Sequence, residues 1–178
     1  MTASRPLLAG LAAALLALAC ATRQPELAEL VAIEDIQQLK ARYMRCIDTR
    51  DLECLRTQVF APDAELYFKG GDYEFRARGW DEIRAFYATA FSPTRFGMHH
   101  VHHPEIEVTG DTATGTWYLE DIFINLEDDT TLRGSALYHD RYVKRGGQWR
   151  IAFSTYDRLW EEIEPRGADI RLNSKPIR

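Results

Sequence analysis

A chain of 178 residues with a formal net charge of −5 lacks the basic face with which a nucleic-acid binder displaces counterions, so nucleic acid is excluded as a partner. After an apolar N-terminal run, no stretch is long and apolar enough to span a bilayer, and enough chain remains for one domain with a real core.

The run itself, "LLAGLAAALLALA", has 13 residues behind Arg5, the length of a signal-peptide h-region. Ala19 directly before Cys20 resembles a bacterial lipobox, in which Cys20 is lipidated and becomes the mature N-terminus. Ala17 stands where that motif usually has Leu, and an ordinary cleaved secretory peptide is the alternative. Either reading takes the mature protein out of the cytoplasm, to the cell envelope (periplasm or outer membrane, through a lipid anchor on Cys20) or to the medium. The lipoprotein resemblance, with no Asp at position 21, implies the outer membrane. Residues 1–19 are then a signal peptide and 20–27 a polar tether. Cys46 and Cys54 are left as an even pair in an oxidising compartment; a disulfide and two free buried thiols both fit.

From Leu27 to Asp48 the apolar residues recur at helical spacing, and Ala32, Ile36, Leu39, Tyr43, Cys46 and Ile47 share one stripe. Glu34, Gln37, Lys40 and Arg45 fall mostly outside it. Tyr43 in mid-stripe carries a hydroxyl into whatever the helix packs on. "DTRD" breaks the pattern, Asp51 can cap a short helix over 52–60, and Pro62 with Asp63 ends it. "AELYF" and "YEFRARG" flank "KGGD" and read as a hairpin. A third helix covers 80–91, with Trp80, Ile83, Phe86 or Tyr87, and Ala90 at its spacing. Four longer strands follow, over 97–110, 112–126, 131–145 and 148–160, joined by tight turns and therefore antiparallel. The segment 161–178 reads as a polar tail.

Three helices cannot cover both faces of a six-stranded sheet, so the sheet must curl one face around them and leave a concave mouth. Such a mouth suits a small hydrophobic ligand.

With this order in hand, four segments carry a resemblance: "YMRCIDTRD" (43–51), "LRTQVFAPDA" (55–64), "MHHVHHPEIEVTGDTATGTWYL" (98–119) and "YHDRYVKRGGQWRI" (138–151). Over residues 28–160 the chain resembles the SnoaL-like branch of the NTF2-like superfamily, which implies an α+β cone: a curved, mainly antiparallel six-stranded sheet around three helices. The superfamily's enzymes include scytalone dehydratase, bile-acid dehydratase and hexachlorocyclohexane dehydrochlorinase. The resemblance implies an Asp–His dyad in the cone, aided by a Tyr, and no cofactor. Carried across, the aspartate ending the first helix is Asp48, Tyr43 precedes it by five residues, and the histidine opening the first long strand is His99. The family's His-x-x-x-Asn-Pro becomes His99 to Pro104 with His103 in place of Asn.

An imidazole oriented by a carboxylate is sound chemistry for abstracting a proton beside a carbonyl, and Tyr43 could polarise that carbonyl or protonate a leaving hydroxyl. The expected activity is a dehydratase-like lyase or isomerase on a small hydrophobic carbonyl or hydroxyl compound. A non-catalytic envelope lipoprotein that binds a hydrophobic ligand or a protein partner is the alternative, and a homodimer fits either. Residues expected to line the pocket are Tyr67, Phe86, Trp117, Leu119, Tyr138 and His103, with Asp121 and Asp140 as further polar candidates; core packing is the alternative for the aromatics. Strand alternation sets His99, Val101 and His103 on one face and His100 and His102 on the other. His100-x-His102 has the spacing of metal ligands, with His139 as third, but an outward face makes a closed site hard to build, so no metal is expected.

Overall fold

The structure is a computed structural model that describes residues 5–71 and 73–173, with side chains from Glu26 onward. The start of the expected signal peptide and the side chain of Cys20, with its expected lipid, lie outside the described residues. Helix α1 spans Arg5–Asp48, so the backbone is helical through the expected tether as well. Among the described residues no helix is long and apolar enough to cross a membrane. Helix α2 (Leu52–Cys54) runs into a π-helical turn at Leu55–Val59, and α3 spans Gly79–Ala90. Strands β1 (Phe60–Lys69), β2 (Glu74–Arg78), β3 (Arg95–Thr109), β4 (Thr112–Asn125), β5 (Thr130–Arg145) and β6 (Gln148–Pro165) form one sheet in the order β2-β1-β6-β5-β4-β3.

All neighbours are antiparallel except β1 and β6, which pair in parallel, with α3 and four strands between them in the chain. This is the expected α+β cone, with the helices against the concave face. Pro62 does not follow a helix end. It sits inside β1, where the register against β6 shifts between Phe60 and Glu65, and a bulge is where a strand tolerates a residue with no N–H. The last strand also outruns its expected end at Trp160, because pairing with β5 continues to Thr130 opposite Pro165. The polar tail therefore starts later than expected.

The α1 stripe is buried as its spacing requires, from Ala32 through Ile47. One residue departs from the sequence reading. Lys40 is fully buried, since its Nζ reaches across to donate to Asp140 at 2.7 Å and lies 3.5 Å from the centre of the Tyr138 ring. The Asp140 carboxylate also accepts from Tyr142 Oη (2.7 Å) and Ser154 Oγ (2.6 Å), while Trp117 Nε1 donates to Tyr142 Oη at 2.9 Å. Burial holds the Lys40 ammonium below its ordinary value, against the pull of Asp140. A charge pair this dry survives only because every partner is hydrogen-bonded. Lys40→Met should therefore cost about 3–5 kcal/mol in urea unfolding, the usual cost of stranding one member of a buried pair. A loss below about 1 kcal/mol would contradict this account.

Tyr43, Tyr87, Tyr138, Tyr142 and Tyr156 have phenols that burial pushes above the ordinary value of 10.0. Above about pH 10 the unfolded chain releases these protons while the folded chain retains them, so stability falls as pH rises. Each unit costs about 1.4 kcal/mol per phenol, so these phenols together erode a typical domain stability of about 5–15 kcal/mol within one or two units. Lys40 acts in the opposite sense, but as one group, and only until the unfolded lysine has also lost its proton. The prediction is a cooperative alkaline unfolding in which the buried share of phenolate absorbance and the loss of far-ultraviolet circular dichroism coincide. Phenolate appearing in a fully folded protein would contradict it.

Candidate active site

Asp48 is the last residue of α1, and the turn behind it is fixed from several sides. Arg50 adopts φ 58°, the left-handed conformation that ends a helix. The N–H of Asp51 donates back to Cys46 O at 2.8 Å, and the Asp51 side chain caps α2 by accepting from the Cys54 N–H at 2.8 Å. A disulfide joins Cys46 to Cys54 across this turn, with Cα atoms 5.9 Å apart. The carboxylate of Asp48 is thereby aimed at β3. Its Oδ2 accepts the backbone N–H of His99 at 3.1 Å, and its Oδ1 lies 2.5 Å from His99 Nδ1.

Two donors on one carboxylate offset the negative end of the α1 dipole, which by itself would disfavour charge there. A neutral imidazole that donates Nδ1–H to Asp48 keeps Nε2 as its free acceptor. The imidazole is 10% exposed, and the Phe91 ring meets it edge-on at 5.7 Å. Gly97 makes this contact feasible. A Cβ there would lie 2.6 Å from Phe91 Cε1 and 2.7 Å from His99 Cε1.

His99 lines a cavity of about 540 Å³ inside the cone. Ile47, Phe68, Phe86, Phe91, Phe123 and Leu132 supply apolar wall, and the volume is that of a small-molecule site. On one side Tyr43 and Tyr87 share a hydrogen bond of 2.5 Å, with the Tyr138 ring edge-on to Tyr43 at 6.4 Å. Burial, reinforced by neighbouring phenols, keeps these hydroxyls protonated, so they are standing donors. On the β6 side Asp121 and Arg158 complete the lining, with Tyr73 and Tyr156 beside them.

Of the residues expected to line the pocket, Phe86, Tyr138 and the polar candidate Asp121 do so, and the structure places the others elsewhere. Trp117 and Leu119 are core residues with the parity expected of them, but beyond the cavity wall. Tyr67 points to the opposite face of β1 under the Arg76 guanidinium at 4.0 Å, because Phe68 is the inward residue of that step. His103 is also not on the inner face. The register of β3 shifts between His102 and Glu105, His103 bulges out at φ 49°, and its Nδ1 meets His102 Nδ1 at 2.6 Å on the surface. His102 stacks on Tyr118 at 5.6 Å. Among the described residues no three His, Cys, Asp or Glu side chains are grouped as a metal site requires. The sequence reading missed Tyr73, Tyr87 as a hydroxyl partner, Tyr156 and Arg158. Parity with buried Ser154 along β6 was the one available signal for the last two.

Residues 28–155 match the SnoaL-like domain. A protein of unknown function from Mycobacterium tuberculosis, Rv3472, is 29% identical with a TM-score of 0.66, over 76% of each chain. A type 2 hexachlorocyclohexane dehydrochlorinase is 19% identical with a TM-score of 0.69, over 83% of this chain and 97% of that one. A putative scytalone dehydratase from Novosphingobium aromaticivorans is 20% identical with a TM-score of 0.67, over 82% and 91%. The last two likenesses establish the shared fold. With the family match running from the buried face of α1 to the middle of β6, the chain belongs to the SnoaL-like domain family.

Proposed function

We propose that the protein is a cofactor-independent lyase or isomerase acting on a small hydrophobic carbonyl or hydroxyl compound. The observation that carries this reading is the 2.5 Å contact of His99 Nδ1 with Asp48, which leaves Nε2 as a base at the wall of an apolar cavity. In the proposed reaction Nε2 takes a proton from the carbon beside a carbonyl. The bonding pair moves into the carbonyl, and Tyr43 donates to the oxygen as it becomes negative. Asp48 holds the ring in orientation and offsets the positive charge it gains. The enolate then either expels a β-hydroxyl, which leaves as water with the proton from His99, or regains that proton at another carbon. The first outcome is dehydration and the second is migration of a double bond. If Cys20 carries a lipid as its sequence context suggests, this chemistry would take place at the cell envelope.

The test is exchange of α-protons of cyclic ketones with deuterated water, followed by NMR on the mature domain. His99→Ala should slow exchange by about 10²–10⁴-fold, the usual worth of a positioned general base. Asp48→Asn should cost a similar factor with little loss of binding, since it preserves shape and removes the charge. Ketones that bind without exchange, or exchange unchanged in His99→Ala, would sink the catalytic reading and leave a ligand-binding module.

A further inference from the structure

Outside the cone cavity, a second cleft of about 490 Å³ opens where α1, the π-helical turn and the start of β6 meet. One face of α1 brings Asp35, Gln38 and Arg42 to it, the turn brings Gln58, and the strand brings Trp149 and Arg150. The cleft shares no lining residue with the cavity of His99, and the proposed chemistry uses none of these groups. At a rise of about 1.5 Å per residue, Arg42 lies about 9 Å and Asp35 about 20 Å along α1 from Asp48.

Two guanidinium groups line this cleft with no carboxylate to match them. Arg150 Nη1 donates to Trp149 O at 3.0 Å, and its Nη2 to Thr57 O at 2.9 Å and to Gln148 Oε1 at 2.6 Å, all uncharged acceptors. Those bonds fix the fork and leave its charge unmatched. Arg42 forms no ion pair among the described residues. On the neighbouring hairpin turn, by contrast, Arg145 holds both oxygens of Asp63, at 2.8 and 3.0 Å. Partial burial, and after it the charge of Arg42, disfavours the charged form of Arg150, so a counter-ion between the two cations would offset their repulsion. Asp35 is the one carboxylate of the lining, and it stands about two helical turns from Arg42. The same wall holds an unpaired donor. Trp149 is 4% exposed, and its indole Nε1 has no hydrogen-bond partner among the described residues. An indole N–H can only donate, so what completes it is an acceptor.

We infer that this cleft is a second binding site, which takes the phosphate group of a larger molecule. A carboxylate fills one guanidinium fork, as Asp63 does for Arg145, and would leave the second cation unmatched. A phosphate presents acceptor oxygens on several sides and enough charge for both arginines. Gln38 and Gln58 add amide donors at the margin; Gln38 gives one hydrogen to Glu34 Oε1 at 2.8 Å and keeps the other. The volume leaves room for the molecule that carries the phosphate, either a soluble phosphate ester or a lipid with a glycerophosphate headgroup.

The test is an NMR titration of the nitrogen-15-labelled protein with two probes, glycerol 3-phosphate and dihexanoyl-phosphatidylglycerol below its micelle concentration. Sodium chloride at matched ionic strength is the blank, since screening alone moves resonances near charges. The indole N–H resonance of Trp149, assigned with Trp149→Phe, should shift and saturate. Tighter binding of the ester identifies a soluble ligand, tighter binding of the lipid a headgroup, and equal binding a site that reads the phosphate alone. Arg42→Gln should weaken binding by about tenfold or more, and Asp35→Asn, which removes the opposing charge, should tighten it. No saturable shift at Trp149 with either probe would overturn the site. So would an unchanged affinity in Arg42→Gln, or a weaker one in Asp35→Asn.

Discussion

One carboxylate at the end of one helix fixes the place of His99 at the cavity of this cone. Asp48 accepts both the backbone N–H and the ring of His99, so α1 and β3 are joined at the rim of the cavity and not only packed there. A helix C-terminus is an unfavourable place for negative charge, and the surroundings compensate with two donors, a capped second helix, the left-handed Arg50 and the disulfide behind the turn. Gly97 and Phe91 then fix the ring from the other side. The result is a largely buried pair with His99 at the wall of the cavity.

Polarity inside the cone is divided by position. Deep in the core, Lys40 and Asp140 neutralise one another within a closed set of hydrogen bonds from Tyr142 and Ser154. That set fills space that would otherwise demand apolar packing between α1 and the sheet, and it holds Lys40 against the ring of Tyr138. Nearer the cavity the polar groups are phenols, neutral because they are buried. Charged groups at the cavity are held by partners, Asp48 by His99, Asp121 by Arg158 and Arg95 by Glu127. Apolar rings separate these poles, so a ligand must match them by shape as well as by hydrogen bonding.

Much of this was legible in the sequence because it follows local rules. The α1 stripe, the α3 spacing and the alternation of β4 and β5 are periodic, and burial follows each of them. Asp48 and His99 were legible through the family's spacing, since their contact spans 51 positions. The failures share a cause. Lys40 reads as a surface residue until Asp140, 100 positions away, is seen to receive it. His103 reads as inward until one extra residue in β3 resets the alternation. Tyr67 and Phe68 are adjacent, and a short strand with apolar residues at both parities does not declare which side faces the core. Arg158 belongs to a strand whose register against β5 shifts between Arg141 and Tyr142, so parity counted from the turn does not reach it.

The central claim is that Asp48 fixes the tautomer of His99 so that Nε2 faces the cavity as an acceptor. Long-range proton–nitrogen correlation spectra of the protein at neutral pH report that tautomer directly. The account predicts that the hydrogen resides on Nδ1 of His99, and that replacing Asp48 by Asn loosens this preference. A hydrogen on Nε2, with Nδ1 bare against Asp48, would contradict it.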